Sequence, residues 1–434
     1  LGTATVISAC PEHPDGALPP DKEDVASSSA ASDDDSAEQA DTQADPSAHD
    51  HDAQPDAAPH DTTSAGEAGT GGGGQPPMSP QVAPVTTAYA PRVRTYFVAA
   101  DELDWDYAPD GSNVVMGRPF NDDERVFVAG NGDDRVGSVY RKAIYRAYTD
   151  ETFSELAPRV EADGYLGIVG PIIHAVVGDT IKVVFRNHGT QPYSVHAHGV
   201  LYDKASEGAE TDDGTTHDQK MDDMVEPGAT YTYTWHVVER SGPGPADPSS
   251  IVWLYHSHFE DGIGDEYAGL VGAIVVSDAE HGTASGVASD VAREVVSLFM
   301  VDDENKSVLA EQNFTALAPA ADVSDEEFAE SNLMHNINGY VFGNGPRLRL
   351  IEDQAVRWYL LTLGTEVDLH TPHWHGVTVL DRGHRTDVVE LLPASMRTVD
   401  LIPDNPGTWM FHCHVNDHIA AGMSTLFEVI GVPH

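Results

Sequence analysis

An internal repeat written in histidines constrains this chain more than any other feature. His196-Ala197-His198-Gly199-Val200 recurs as His373-Trp374-His375-Gly376-Val377, and Trp253-Leu254-Tyr255-His256-Ser257-His258 recurs as Trp409-Met410-Phe411-His412-Cys413-His414. Two motifs recurring in the same order indicate two copies of one structural unit. The boundaries this suggests are residues 91–282 for the first copy and 290–434 for the second.

The texture of both copies is short β-branched and aromatic runs divided by Gly, Pro, Asn and Asp. Thr180-Ile181-Lys182-Val183-Val184-Phe185, Thr230-Tyr231-Thr232-Tyr233-Thr234-Trp235 and Ala273-Ile274-Val275-Val276 are examples. Such runs predict strands of a β-sandwich, and no long amphipathic helix competes with them. The expected fold is all-β, two tandem cupredoxin-like Greek-key sandwiches.

Residues 11–90 read differently, as an acidic stretch rich in Asp, Ala, Ser, Pro and Gly with runs at Asp33-Asp34-Asp35 and Gly71 to Gly74. So little of it is apolar that a disordered acidic linker is expected, with its scattered histidines (His13, His49, His51, His60) solvated. Before it, Ile7-Ser8-Ala9-Cys10 resembles the lipobox that ends a lipoprotein signal, so residues 1–10 are read as the end of a signal segment. That reading gives an exported protein, extracellular, cell-surface or periplasmic, with a lipid anchor at Cys10. No run of roughly eighteen apolar residues occurs, so a spanning helix is not expected.

The formal net charge of −48 argues against nucleic acid as a partner. A carboxylate-dense, lysine-poor surface stays hydrated in strong salt, which suggests a halophilic source. Cys10 and Cys413 are the only cysteines and stand in unrelated contexts, so no disulfide framework holds the fold.

The second copy carries His370-Thr371-Pro372-His373-Trp374-His375, then His412-Cys413-His414-Val415-Asn416-Asp417-His418, and closes on Gly422-Met423. Residues two apart on a strand share a face, so the His-Cys-His triplet sends both histidines one way and the thiol the other. One thiolate can then join two metal sites. A cysteine, two histidines and a distant methionine form the trigonal site with a weak axial thioether that suits copper and electron transfer, which points to Cys413, His370, His418 and Met423. Zinc fits three histidines too, but it cannot change oxidation state. The first copy has Tyr193, Ser257 and Leu270 at the positions matching His370, Cys413 and Met423, so a blue site is expected only in the second.

These motifs resemble the ligand motifs of the multicopper oxidases, the family of laccases, ascorbate oxidase and ceruloplasmin, over nearly all of residues 91–434. The likeness is closest to ceruloplasmin-like domains, in His196 to Gly208, Glu239 to Ser250 and His412 to Met423. It implies a trinuclear cluster, with His196 and His373 on the type 2 copper and His198, His256, His258, His375, His412 and His414 on the type 3 pair. It also implies about four copper ions per chain, one type 1, one type 2 and two type 3. Electrons would enter at His370 or His418 and cross Cys413 to His412 and His414. The activity implied is one-electron oxidation of a phenolic or aromatic substrate, or of a metal ion such as Fe(II), coupled to reduction of dioxygen to water.

Oxygen reduction consumes protons, and the resemblance puts Glu207 where small laccases carry an acidic residue by the cluster and Tyr202 where they carry a tyrosine near the type 2 copper. Asp417 abuts His418 and would bias the reductant pocket towards cations. Asp368, Asp381, Glu390 and Asp417, all near the ligand motifs, favour Fe(II), while nine methionines without a methionine-rich insertion do not favour a dedicated Cu(I) oxidase. Two rival readings are a copper nitrite reductase-like enzyme and a non-catalytic copper-binding or electron-transfer cupredoxin. The first keeps its blue site in the first domain and lacks the six type 3 histidines; complete ligand sets argue against the second.

Each copy supplies four of the eight cluster histidines, so neither is a site alone. A two-domain chain can close the cluster by passing each first domain to a neighbour's second. That contact is heterologous and must close into a ring to avoid growing a filament. Small two-domain laccases resemble this plan as trimers, and the resemblance implies a homotrimer.

Overall fold

The computed structural model describes residues 89–216, 219–259 and 262–433, which fall within one compact unit. The Cys10 segment and nearly all of the acidic linker lie outside the described residues. The first copy contributes β1 (Val93–Asp106), β2 (Val139–Tyr148), β3 (Ile173–Val176), β4 (Thr180–Asn187), β5 (His196–Ala197), β6 (Thr230–His236), β7 (Ser250–His256) and β8 (Val271–Ser277). The second contributes β9 (Arg293–Asp303), β10 (Leu333–Ile337), β11 (Leu348–Ile351), β12 (Val356–Thr362), β13 (Pro372–Trp374), β14 (Val379–Asp381), β15 (His384–Thr386), β16 (Met396–Leu401), β17 (Gly407–Cys413) and β18 (Ser424–Ile430).

The repeat seen in the histidines is also a repeat of topology. One pair of sheets has the orders β2-β1-β4-β6 and β3-β8-β7-β5; the other has β10-β9-β12-β16 and β11-β18-β17-β13, with β14-β15 added beyond β16. Even the parallel pairings recur, β1 with β4 as β9 with β12, and β3 with β8 as β11 with β18. The three runs read as strands from sequence fall within β4, β6 and β8.

The histidine motifs take equivalent registers in the two copies. His196 pairs across from His256, and His373 from His412. Strands β5 and β13 each end their sheet, so both motifs sit on an edge. The glycine of each His-x-His-Gly motif has a geometric reason. Gly199 and Gly376 both adopt φ of 75°, and a Cβ there would lie 2.2 Å from the Trp253 ring and 2.3 Å from the Trp409 ring. The glycine and the tryptophan that opens the other motif are thus one packing unit, used twice.

The two sandwiches are joined by a buried charged network. Lys142 Nζ, on β2, donates to Tyr107 Oη at 2.7 Å, to Glu304 Oε1 at 2.5 Å and to the Tyr267 carbonyl at 2.5 Å. Tyr107 Oη also lies 2.7 Å from both Asp302 Oδ2 and Glu304 Oε1. A phenol carries one proton, so it donates to one of these oxygens; the other contact requires a proton on a carboxyl group. One ammonium, one carboxylate and one carboxylic acid leave the network neutral, which suits a buried site. Burial, opposed by Lys142 and reinforced by Asp302, pushes Glu304 up to about 7.

Candidate metal centre

Among the described residues, three groups of side chains bring ligand atoms within 4.8 Å of one another: His370, Cys413 and His418; His196, His198 and His256; and His373, His375 and His412. All are residues singled out from sequence.

The first group is a buried triangle. His370 Nδ1 and His418 Nδ1 are 3.1 Å apart, and Cys413 Sγ is 3.9 Å from the former and 3.6 Å from the latter. A metal bonded at roughly 2.0–2.3 Å to each fits inside such a triangle. Cys413 ends β17 facing the core, and His418 comes from the short helix α1 (Asn416–Ala420) that follows. Burial alone would raise the thiol, but His370, His418 and the Thr371 amide bring it down to about 6, so thiolate is available to a metal at neutral pH. Met423 is fully buried and brackets the site through its backbone, its carbonyl accepting from the Cys413 amide at 3.1 Å.

Asp368 has a different place from the one expected. It is fully buried, its Oδ1 lies 3.2 Å from His370 Nε2, and it accepts from the Val301 and Thr365 amides at 2.8 and 2.9 Å. It is therefore a support behind His370 and no part of a cation-attracting surface. Burial opposes a charge on His370, yet Asp368 and the Cys413 sulfur hold its affinity for a proton above the ordinary value. Asp417 is exposed beside His418, and Glu390 is exposed as well.

Sequence reasoning missed His335. It stands on β10, buried, with its ring 5.2 Å from that of His418 and the Phe127 ring edge-on at 5.8 Å. Burial first, and the neighbouring His418 second, bring it down to about 4. No repeat of the ligand motifs marks it, because it reaches the site from β10, a strand of the other sheet.

The other two groups form quartets on the sheet edges. In the first, the His196 ring lies within 5.3–5.6 Å of those of His198, His256 and His258, and His198 Nε2 is 3.1 Å from His256 Nε2. In the second, His373 lies within 4.9–5.4 Å of His375, His412 and His414, and His375 Nε2 is 3.2 Å from His412 Nε2. Several Nδ1 atoms face carbonyls: His196 to Glu207 at 2.6 Å, His256 to Ser257 at 3.0 Å, His373 to Asp387 at 2.9 Å and His412 to Cys413 at 2.7 Å. A carbonyl only accepts, so these Nδ1 atoms carry the proton and Nε2 presents a free lone pair. Desolvation takes His196 down to about 4 and His198 to about 3, and lowers His375 and His412 too. Neutral imidazoles are the form a metal binds.

Tyr202 presents its ring edge 6.0 Å from that of His196. The Glu207 carboxylate turns to Lys204 Nζ at 2.5 Å, and its carbonyl is what meets His196. At the position matching Cys413 the first copy has Ser257, whose Oγ donates to Asp265 Oδ2 at 2.6 Å and accepts from the Ser194 amide at 3.0 Å. Among the described residues no ring contact joins the two quartets. His375 and His414 are exposed, and His373 and His375 line an open cleft of about 450 Å³ with Asp387, Asp404 and Trp409.

Tandem sandwiches of one repeated Greek-key topology, with a buried His₂Cys triangle in the second, define a cupredoxin-type metalloprotein. Two family models, each described as multicopper oxidase, match residues 166–281 and 315–431. The chain is 42% identical over 341 residues to human ferroxidase HEPHL1, covering 77% of this chain and 29% of that protein. It is 39% identical over 354 residues to mouse ceruloplasmin, covering 78% and 31%. It thus spans about a third or less of the length of these relatives. A solved multicopper oxidase structure superposes with a TM-score of 0.50 at 18% identity, covering 78% of this chain and 89% of that one, a likeness of fold. The chain belongs to the multicopper oxidase family, and that membership implies copper as its metal. The donor set agrees: a thiolate with two imidazoles suits copper, as do clustered neutral imidazoles.

Proposed function

We propose that this protein is an oxidase that takes single electrons from a reductant at a mononuclear site of His370, Cys413, His418 and Met423 and delivers four to dioxygen, forming water, at a cluster of eight histidines. Bound copper would supply reversible one-electron chemistry at the first site and a place for dioxygen reduction at the second, about four ions per chain in all. The observation that carries this reading is the position of Cys413. Its sulfur belongs to the buried triangle, while the residues bonded to it on either side, His412 and His414, belong to the second quartet. A covalent path of one residue therefore links the two centres.

The remaining side chains have definable tasks. Asp368 holds the His370 ring; the carbonyls of Glu207, Ser257, Asp387 and Cys413 hold the quartet rings with Nε2 outward. Glu207, close to the cluster, supplies protons, and Tyr202 stands at the edge of His196. On the reductant side, exposed Asp417 beside His418 favours a cation. With a relative named as a ferroxidase, this makes Fe(II) the preferred reductant over a phenol.

The same reading includes a homotrimer, which the placement of the quartets supports. Each sits on a sheet edge, contacts run within each and not between them among the described residues, and the second opens on a cleft. A second copy docking head to tail would bring a first-copy quartet to a second-copy quartet, closing three clusters in a ring. The exported location, the Cys10 anchor and the salt-adapted surface belong to the same reading. Among the described residues no helix is long and apolar enough to cross a membrane.

The test is a comparison of kcat/KM for Fe(II), Cu(I) and a dimethoxyphenol with copper-loaded protein under air. The reading expects Fe(II) to lead; turnover of none of the three would favour a copper-binding protein without catalysis.

A further inference from the structure

His196 is held by a loop remote from it in sequence. Its Nδ1 faces the Glu207 carbonyl, 2.6 Å distant and eleven residues along the chain, as His373 Nδ1 faces the Asp387 carbonyl in the other quartet, whereas His412 Nδ1 faces the carbonyl of the next residue. A histidine held by a remote loop is only as well placed as the loop. The question is therefore what fixes the Glu207–Gly208 peptide.

One contact fixes it directly and a second fixes the peptide that follows. The Gly208 carbonyl accepts from Ser194 Oγ at 2.7 Å, and the Gly208 amide donates to Asp222 Oδ2 at 2.8 Å. The peptide is also pressed against the strand that carries His196: Gly208 has φ of 69°, and a Cβ on it would lie 2.3 Å from the Val195 carbonyl oxygen. Asp222 itself is clamped. It is fully buried, and its own carbonyl accepts from Tyr233 Oη at 2.6 Å, while Tyr233 Oη accepts from the Val195 amide at 3.1 Å. Its second carboxylate oxygen, Oδ1, is buried and has no hydrogen-bond partner. An apolar residue in its place would leave the buried Gly208 amide without an acceptor.

We propose that Asp222 is a positioning residue for the cluster: its carboxylate fixes the Glu207–Gly208 peptide, whose carbonyl keeps His196 in the Nδ1–H form with Nε2 presented to the metal. This rests on the reading of His196 as a type 2 copper ligand. The role needs an oxygen acceptor of aspartate length, and it does not need a charge. It also separates two parts of Glu207, whose carbonyl orients His196 while its carboxylate is engaged by Lys204.

The experiment compares Asp222→Ala and Asp222→Asn with the parent in the copper-loaded full chain. The readouts are the type 2 electron paramagnetic resonance signal, copper per chain and the copper–thiolate absorption. The thiolate absorption reports the second sandwich and serves as the folding control. Asp222→Ala is expected to lose the type 2 signal and its copper with the thiolate absorption intact, and Asp222→Asn to retain both. An unchanged type 2 signal in Asp222→Ala would overturn the proposal. So would its loss in Asp222→Asn, which decides the matter even where the alanine variant does not fold. A parent protein with thiolate absorption but no type 2 signal would count against the cluster reading instead.

Discussion

His370 Nε2 lies 3.2 Å from Asp368 Oδ1, on the side of the ring opposite the nitrogen that faces Cys413. A buried carboxylate there steadies the more positive state of a metal on the other ring nitrogen. Asp368→Asn is therefore expected to raise the potential of the blue site and to shift its absorption, read by redox titration. Asp368→Ala also strands the amides of Val301 and Thr365, and should lower unfolding stability by about 2–4 kcal/mol.

The shared glycine–tryptophan packing predicts the cost of a single methyl group. Gly199→Ala and Gly376→Ala each force a Cβ into an indole ring at a backbone angle that disfavours it. Each is expected to destabilise by about 2–4 kcal/mol and to weaken copper retention in its own quartet. Thermal unfolding with metal analysis checks both; the same losses are not expected at Gly214, where nothing lies within 4 Å of the added Cβ.

The proton held between Tyr107, Asp302 and Glu304 makes stability depend on pH. Burial raises Glu304 from its ordinary 4.5 to about 7 in the folded chain. The unfolded chain therefore releases that proton first, and stability falls as pH rises through the interval between those values. Glu304→Gln should flatten this part of the profile, measured as denaturation midpoint against pH.

Much of the candidate metal centre was legible in the sequence because the side chains that gather there lie in contiguous motifs, two apart on strands that the residues themselves specify. Cys413 with His412 and His414, and the paired His-x-His runs, needed only the alternation of a strand. What was not legible depends on contacts across the fold. His335 reaches His418 from another strand, and Lys142 meets Glu304 across the seam between sandwiches. The burial of Asp368 was not legible for the same reason: proximity to a motif suggested a carboxylate that favours Fe(II), whereas two distant amides and His370 draw it inside.

The head-to-tail ring makes a complementation prediction. His198→Ala disables one quartet and His375→Ala the other, so each variant alone should be inactive. Mixed and reassembled, they should regain a fraction of parent activity, because some interfaces then pair two intact quartets. Light scattering should give three chains per particle. Active monomers would contradict the ring.

The central claim is that electrons from the reductant reach dioxygen through Cys413. Oxygen uptake driven by Fe(II), followed with an electrode alongside the Fe(III) formed, tests it in the copper-loaded parent and in Cys413→Ser. The account predicts four Fe(II) oxidised per dioxygen consumed by the parent, and loss of both uptake and copper–thiolate absorption in the variant. Uptake by the variant at the parent's rate would contradict it.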